Sequence, residues 1–232
     1  MNLRKNPFGI YRFSVAGFLT ALVLLLVSTP VLEHIPYGDL VESVLVTLVL
    51  FSAVLAVGKR RRVLLWAVVM VVPTFIGRWL YQIWPEHMLP DVYLISSLVF
   101  VLFIIIQLLS FIFRAPQVNS EVLCAGILIY LLMGLLWANA YALVAYRAPD
   151  SFVFTVSTHS PHVMKGFTSL YFSFITLSTV GYGDIMPASD LARMLVAAEA
   201  ITGILFVAVL ISRLVSMHTS QALLGRAEQP QG

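Results

Sequence analysis

The residues with the clearest capacity for chemistry form one run, Thr176-Leu-Ser-Thr-Val-Gly-Tyr-Gly-Asp184. It combines two glycines with small and hydroxylated residues, and it lies between two long apolar segments. Non-helical backbone at membrane depth is tolerated only where it lines a water-filled path or is buried in protein. The useful groups here are main-chain oxygens. Gly181 and Gly183 permit the unusual backbone angles that aim successive carbonyls at one axis. Val180 and Tyr182 are then expected to point away, into the packing behind. Thr179 offers a carbonyl and a hydroxyl oxygen together. A ring of such oxygens, repeated by symmetry, can replace the water shell of a cation. The chemistry expected is coordination and release of an ion, with Asp184 drawing cations toward the mouth.

The elements that must position this run are apolar helices. Apolar residues make up 60% of the 232-residue chain and charged residues 11%, against about 25% charge in a soluble domain. Spans of about 20 residues are expected near 13–32, 40–58, 63–84, 92–113, 121–146 and 191–215. The shorter piece at 166–177 is too short to cross and reads as a re-entrant helix. Arg4, Lys5 and Arg12 before an apolar run imitate a signal peptide, but the small residues before a cleavage point are poorly placed, so this is an uncleaved first span. With the N-terminus in the cytoplasm, the inner segments hold Arg4, Lys5, Arg12, Lys59, Arg60, Arg61, Arg62, Arg114, Arg213 and Arg226, ten of 14 Lys and Arg. That asymmetry follows the positive-inside rule, puts both termini inside and returns the run at Thr176 to the outer side. Glu33, Asp39, Glu86, Asp91 and Asp150 fall in outer loops, and Tyr37 and Trp84 near outer interfaces. The single Cys124 excludes an intrachain disulfide and reads as a small buried hydrophobe.

Thr179-Val-Gly-Tyr-Gly183 is the selectivity-filter signature of potassium channels, and the chain resembles that family, in particular its prokaryotic six-transmembrane members. Asp184, Pro187 and Arg193 follow at the family's usual spacing, and Tyr171 and Phe172 match the aromatic pair of its pore helix. Gly203 stands where the family often carries an inner-helix hinge, whereas Ile175 replaces the buried glutamate of some members. The resemblance implies an all-α membrane protein of six transmembrane helices, a re-entrant pore helix and an extended filter, assembled as a homotetramer because one chain supplies one filter strand. It implies K+ at the carbonyls of Thr179, Val180, Gly181, Tyr182 and Gly183, with Asp184, Tyr171 and Phe172 supporting the filter. Asp184 is expected to hydrogen-bond Tyr171. Residues 1–115 would form a four-helix domain, 116–217 the pore domain and 218–232 a short cytoplasmic tail, disordered after Arg213. The expected place is the cell membrane, and the expected partners are K+, lipids and further copies of the chain, with no nucleic acid and no cofactor beyond the permeant ion.

Four spans before a pore module resemble the layout of voltage-gated channels, but residues 92–113 contain no Lys or Arg. A voltage sensor needs several arginines at three-residue spacing there, so conventional voltage gating is not expected. Ile204, Val207 and Ile211 share one face of the last span and form a candidate apolar gate, with ordinary helix packing as the plainer reading. Gly203 has its own plainer reading, close helix contact. Three intramembrane charges stand out. Glu199 is expected to brace the pore helix at Ser173 or Thr176, and Glu42 is expected to pair with Arg78. The Lys59–Arg62 cluster sets topology before it binds lipid. His159 and His162 are expected to be solvated loop residues, not metal ligands. A membrane enzyme would draw on Ser157, His159 and His162, which have no paired carboxylates or nucleophile elbow. A weakly selective cation channel and a non-conducting interaction subunit are the remaining alternatives. From the tail's length, no nucleotide- or calcium-binding domain is expected.

Overall fold

The computed structural model describes residues 9–33, 35–57, 61–83, 90–115, 117, 119–155 and 163–227, and among these the side chains of all but 9–14, 57, 61–62, 81–83, 90 and 217–227. Seven helices account for nearly all of it: α1 Gly9–Leu32, α2 Gly38–Val57, α3 Arg61–Ile83, α4 Pro90–Arg114, α5 Ser120–Arg147, α6 Gly166–Leu177 and α7 Asp190–Ala227. Six of them, all but α6, are long and apolar enough to cross a membrane. The chain is therefore an all-α, multi-pass membrane protein. The 12 residues of α6 rise only about 18 Å, short of the ~30 Å hydrocarbon core.

Several hydroxyl groups inside the spans are satisfied within their own helices. Thr29 Oγ1 lies 2.8 Å from Leu25 O, Thr47 Oγ1 2.8 Å from Ser43 O, and Thr74 Oγ1 3.1 Å from Met70 O. Such back-bonding lets polar residues sit where water is absent. The first four helices pack in sequence, α1 on α2, α2 on α3 and α3 on α4, and both α1 and α4 pack on α5. Apolar residues at three- and four-residue spacing make the contact stripes: Phe18, Leu22 and Leu25 on α1, and Val101, Ile104, Ile105 and Leu108 on α4. The central helix is α5, 56% of whose span is buried, against 11% for α7. Asn119 starts α5 by accepting the Val122 N–H at 3.0 Å, the usual N-cap bond.

Two features depart from the sequence expectations. From Arg213 to Ala227 the tail is helical where disorder was expected: α7 continues unbroken through Ala227, because Ser216 to Ala227 contains no helix breaker until Gly225 and carries helix formers such as Gln221, Ala222, Leu223 and Leu224. A two-stranded antiparallel ladder also joins β1, Phe152–Phe154, to β2, Ile185–Pro187, with Val153 opposite Met186. Three-residue strands leave too little periodicity to be legible in a sequence.

Candidate functional site

Helix α6 ends where the backbone begins to alternate in hand. Thr179, Gly181 and Gly183 have φ of 60°, 54° and 78°, whereas Val180 and Tyr182 between them are not among the positive-φ residues. The two glycines adopt this conformation without steric penalty. Thr179 does not, since a β-branched residue in the left-handed region is a true outlier. Its N–H bonds Thr176 O at 2.9 Å, and the next two N–H groups, of Val180 and Gly181, both reach Ile175 O, at 2.8 and 3.1 Å. All peptide bonds are trans among the described residues, so N–H and C=O of each peptide unit point opposite ways. The carbonyls of Thr179 and Val180 therefore face away from α6. The end of the helix thus turns the first oxygens of the run toward open space.

The other end of the run is held by the segment before α6. Thr155 donates its N–H to Asp184 O at 2.9 Å, and its hydroxyl lies 3.1 Å from Gly183 O and 3.0 Å from Asp184 O. Gly183, expected to offer its carbonyl to an ion, thus has that oxygen engaged by Thr155. The Tyr171 hydroxyl donates to Asp184 Oδ2 at 2.8 Å, as expected from the sequence. The rings of Tyr171 and Tyr182 lie 6.5 Å apart and nearly parallel, at 8°. Val180 and Tyr182 were expected to be packed away, yet on a single chain they are 53% and 71% exposed. Phe172 is buried in a triad with Tyr141 of α5 and Phe152 of β1, with ring centroids 5.0 to 5.7 Å apart and edge-on, the geometry aromatic pairs prefer.

Sequence reasoning missed several positioning residues. Gly134 of α5 admits the Phe174 ring, since a Cβ there would come within 2.5 Å of Phe174 Cε1. Glu33, after α1, accepts the N–H of Phe167 in the first turn of α6 at 2.6 Å. Lys165, at the N-cap position, makes no side-chain cap bond, so this carboxylate satisfies a helix-start donor from elsewhere in the chain. Glycine spacing and loop carboxylates give no sequence signal for contacts this distant.

The intramembrane charges lie as follows. Glu199 is fully buried and touches Ser173, with Oγ 2.5 Å from Oε1, and accepts from the Tyr141 hydroxyl at Oε2. Thr176, the other expected partner, is not joined to it by a hydrogen bond. Arg78 Nη2 lies 3.1 Å from Glu42 Oε1, and its Nε donates to Ser43 Oγ at 3.3 Å. A Cβ at Gly203 would stand 2.4 Å from Leu177 O, so this glycine is in backbone contact with the end of α6 on an unbroken helix. Ile204, Val207 and Ile211 are 58%, 41% and 55% exposed on a single chain. Among the described residues no group of three His, Cys, Asp or Glu could hold a metal ion. His159, His162, Ser157, Lys59, Arg60 and Trp84 lie outside the described residues, as do the side chains of Arg61 and Arg62.

Residues 120–220 match a protein family described as ion channel. The chain is similar to two pore potassium channel b of Oryza sativa subsp. japonica, 38% identical over 65 residues, covering 27% of this chain and 19% of that one. It is also similar to two-pore potassium channel 4 of Arabidopsis thaliana, 44% identical over 48 residues, covering 21% and 17%. With the voltage-gated potassium channel Kch of Escherichia coli strain K12 it shares 47% identity over 45 residues, covering 19% and 11%. The matched stretch thus spans less than a fifth of each relative's length. No solved structure matches the chain significantly.

Proposed function

We propose that the ion-channel region at residues 120–220 makes this chain one subunit of a potassium-selective channel, a homotetramer that conducts K+ passively. The observation that carries the reading is the alternation of hand at Thr179, Gly181 and Gly183, with the Val180 and Gly181 N–H groups turned back onto Ile175 O. Four such strands around one axis would present rings of carbonyl oxygen that replace the hydration shell of a cation. In this arrangement α6 is the pore helix, Thr179 to Gly183 are the filter, Asp184 stands at the outer mouth and α7 is the inner helix. The exposed apolar face of α7, which includes Ile201, Ile204 and Leu205, becomes cavity lining and subunit contact. Residues 1–115 form the four-helix domain and 116–217 the pore domain. Basic residues on the N-terminal side of the membrane support a cytoplasmic N-terminus in the cell membrane, with the filter outermost.

The test is the reversal potential of the purified full chain in liposomes under opposed potassium and sodium gradients. A potential near the potassium equilibrium value is expected. Equal permeability to both ions would reduce the chain to a weakly selective cation channel, and absence of any flux would leave a non-conducting interaction subunit.

A further inference from the structure

Four residues register α7 against α6. Glu199 and Gly203 lie one helical turn apart on α7, and they meet Ser173 and Leu177, one turn apart on α6. The pair at Glu199 has a feature the channel reading does not use. The Ser173 hydroxyl lies 2.8 Å from Gly134 O on α5 and 2.5 Å from Glu199 Oε1, and the Tyr141 hydroxyl meets Glu199 Oε2. Three hydrogen bonds need three hydrogens. Gly134 O is an acceptor only, and the Ser173 and Tyr141 hydroxyls bring one hydrogen each. If Ser173 donates to Gly134 O, its oxygen must accept from Glu199, and the third hydrogen is the carboxyl proton.

The surroundings agree with this count. Glu199 is 0% exposed. None of the ion pairs among the described residues includes it. The titratable groups facing it are Tyr141 and Tyr130 of α5, which bring no positive charge, and α6 presents Ser173. An ionised carboxylate buried without a cation is strongly disfavoured.

We infer that Glu199 is held as a neutral carboxylic acid and serves as a positioning residue, donating its proton to Ser173 and so tying α5, α6 and α7 into one network behind the filter. Resting on the reading of α6 as the pore helix, this network acts on the filter through Ile175. Ser173 lies two residues before Ile175, whose carbonyl receives the Val180 and Gly181 N–H groups. A glutamine side chain reproduces the network, since its amide donates to Ser173 while its carbonyl accepts from Tyr141.

The experiment uses the full chain in liposomes at neutral pH. Infrared spectra should show the carbonyl stretch of a protonated carboxyl group that is absent from Glu199→Gln. Glu199→Gln should keep the potassium–sodium permeability ratio and the thermal stability of the assembly. Glu199→Ala should lower the ratio about tenfold, the scale of one or two buried hydrogen bonds. Absence of the protonated-carboxyl band, or a Glu199→Gln protein as impaired as Glu199→Ala, would overturn the inference. If the wild type proves unselective, the channel reading fails by itself. The infrared band and the glutamine rescue of thermal stability would still decide the state of Glu199.

Discussion

Thr179 holds the backbone conformation least suited to its side chain. A left-handed β-branched residue costs about 1–2 kcal/mol, and such strain persists where the surroundings over-determine it. Here the over-determination is local: the Thr179 N–H on Thr176 O and the next two N–H groups on Ile175 O. Gly181 tests how much the hand of the backbone matters by itself. Beyond the two neighbouring residues a Cβ there would meet no atom of its own chain within 4 Å, yet φ is 54°, so Gly181→Ala adds local backbone strain without a clash elsewhere in the chain. The expected result is a folded, membrane-inserted protein whose strands are strained by about 1–2 kcal/mol each and whose reversal potential moves toward zero under a potassium–sodium gradient. A reversal potential equal to that of the wild type would show that hand at this position does not set ion choice. The glycines of this run were legible in the sequence, because glycine is the default residue for positive φ. Thr179 was not, because threonine prefers extended backbone and only the bonds onto the end of α6 force it over.

At the scale of elements, the long apolar segments were legible and their contacts were not. Hydropathy located each span to within a few residues, since length and composition decide whether a segment crosses a bilayer. It could not locate the β1–β2 ladder, whose pairing is continued by the Thr155 N–H on Asp184 O. Nor could it separate two readings of Gly203, hinge or close contact. On the unbroken α7, Gly203 faces Leu177 O with no room for a methyl group. Gly203→Ala is therefore expected to push α7 off the end of α6 and destabilise the fold by about 1–3 kcal/mol, the range for overpacking. Thermal unfolding of the purified protein measures this directly. Unchanged stability together with altered open probability would point instead to a hinge.

On the scale of the whole molecule, the first four helices are fastened to the rest at several depths. Arg147 of α5 pairs with Asp91 of α4 at 2.7 Å, and Asn139 of α5 donates to Ser97 of α4 at 3.2 Å. Near the other face, Arg213 of α7 donates to Phe113 O at 3.2 Å, adding a cation to the carbonyl end of α4. A helix so held, and without Lys or Arg over residues 92–113, can carry little charge through the field. Conductance in a planar bilayer is accordingly expected to vary only shallowly with voltage. A steep conductance–voltage relation would mean that these helices move after all. The bond between Glu33 and the Phe167 N–H joins residues 134 positions apart, and that separation has a consequence for synthesis. Glu33 and α1 are synthesised well before α6, with the four helices α2 to α5 made in between. Contacts of such sequence separation form late, after the intervening loop has closed. The start of α6 is then completed by a segment made four helices earlier.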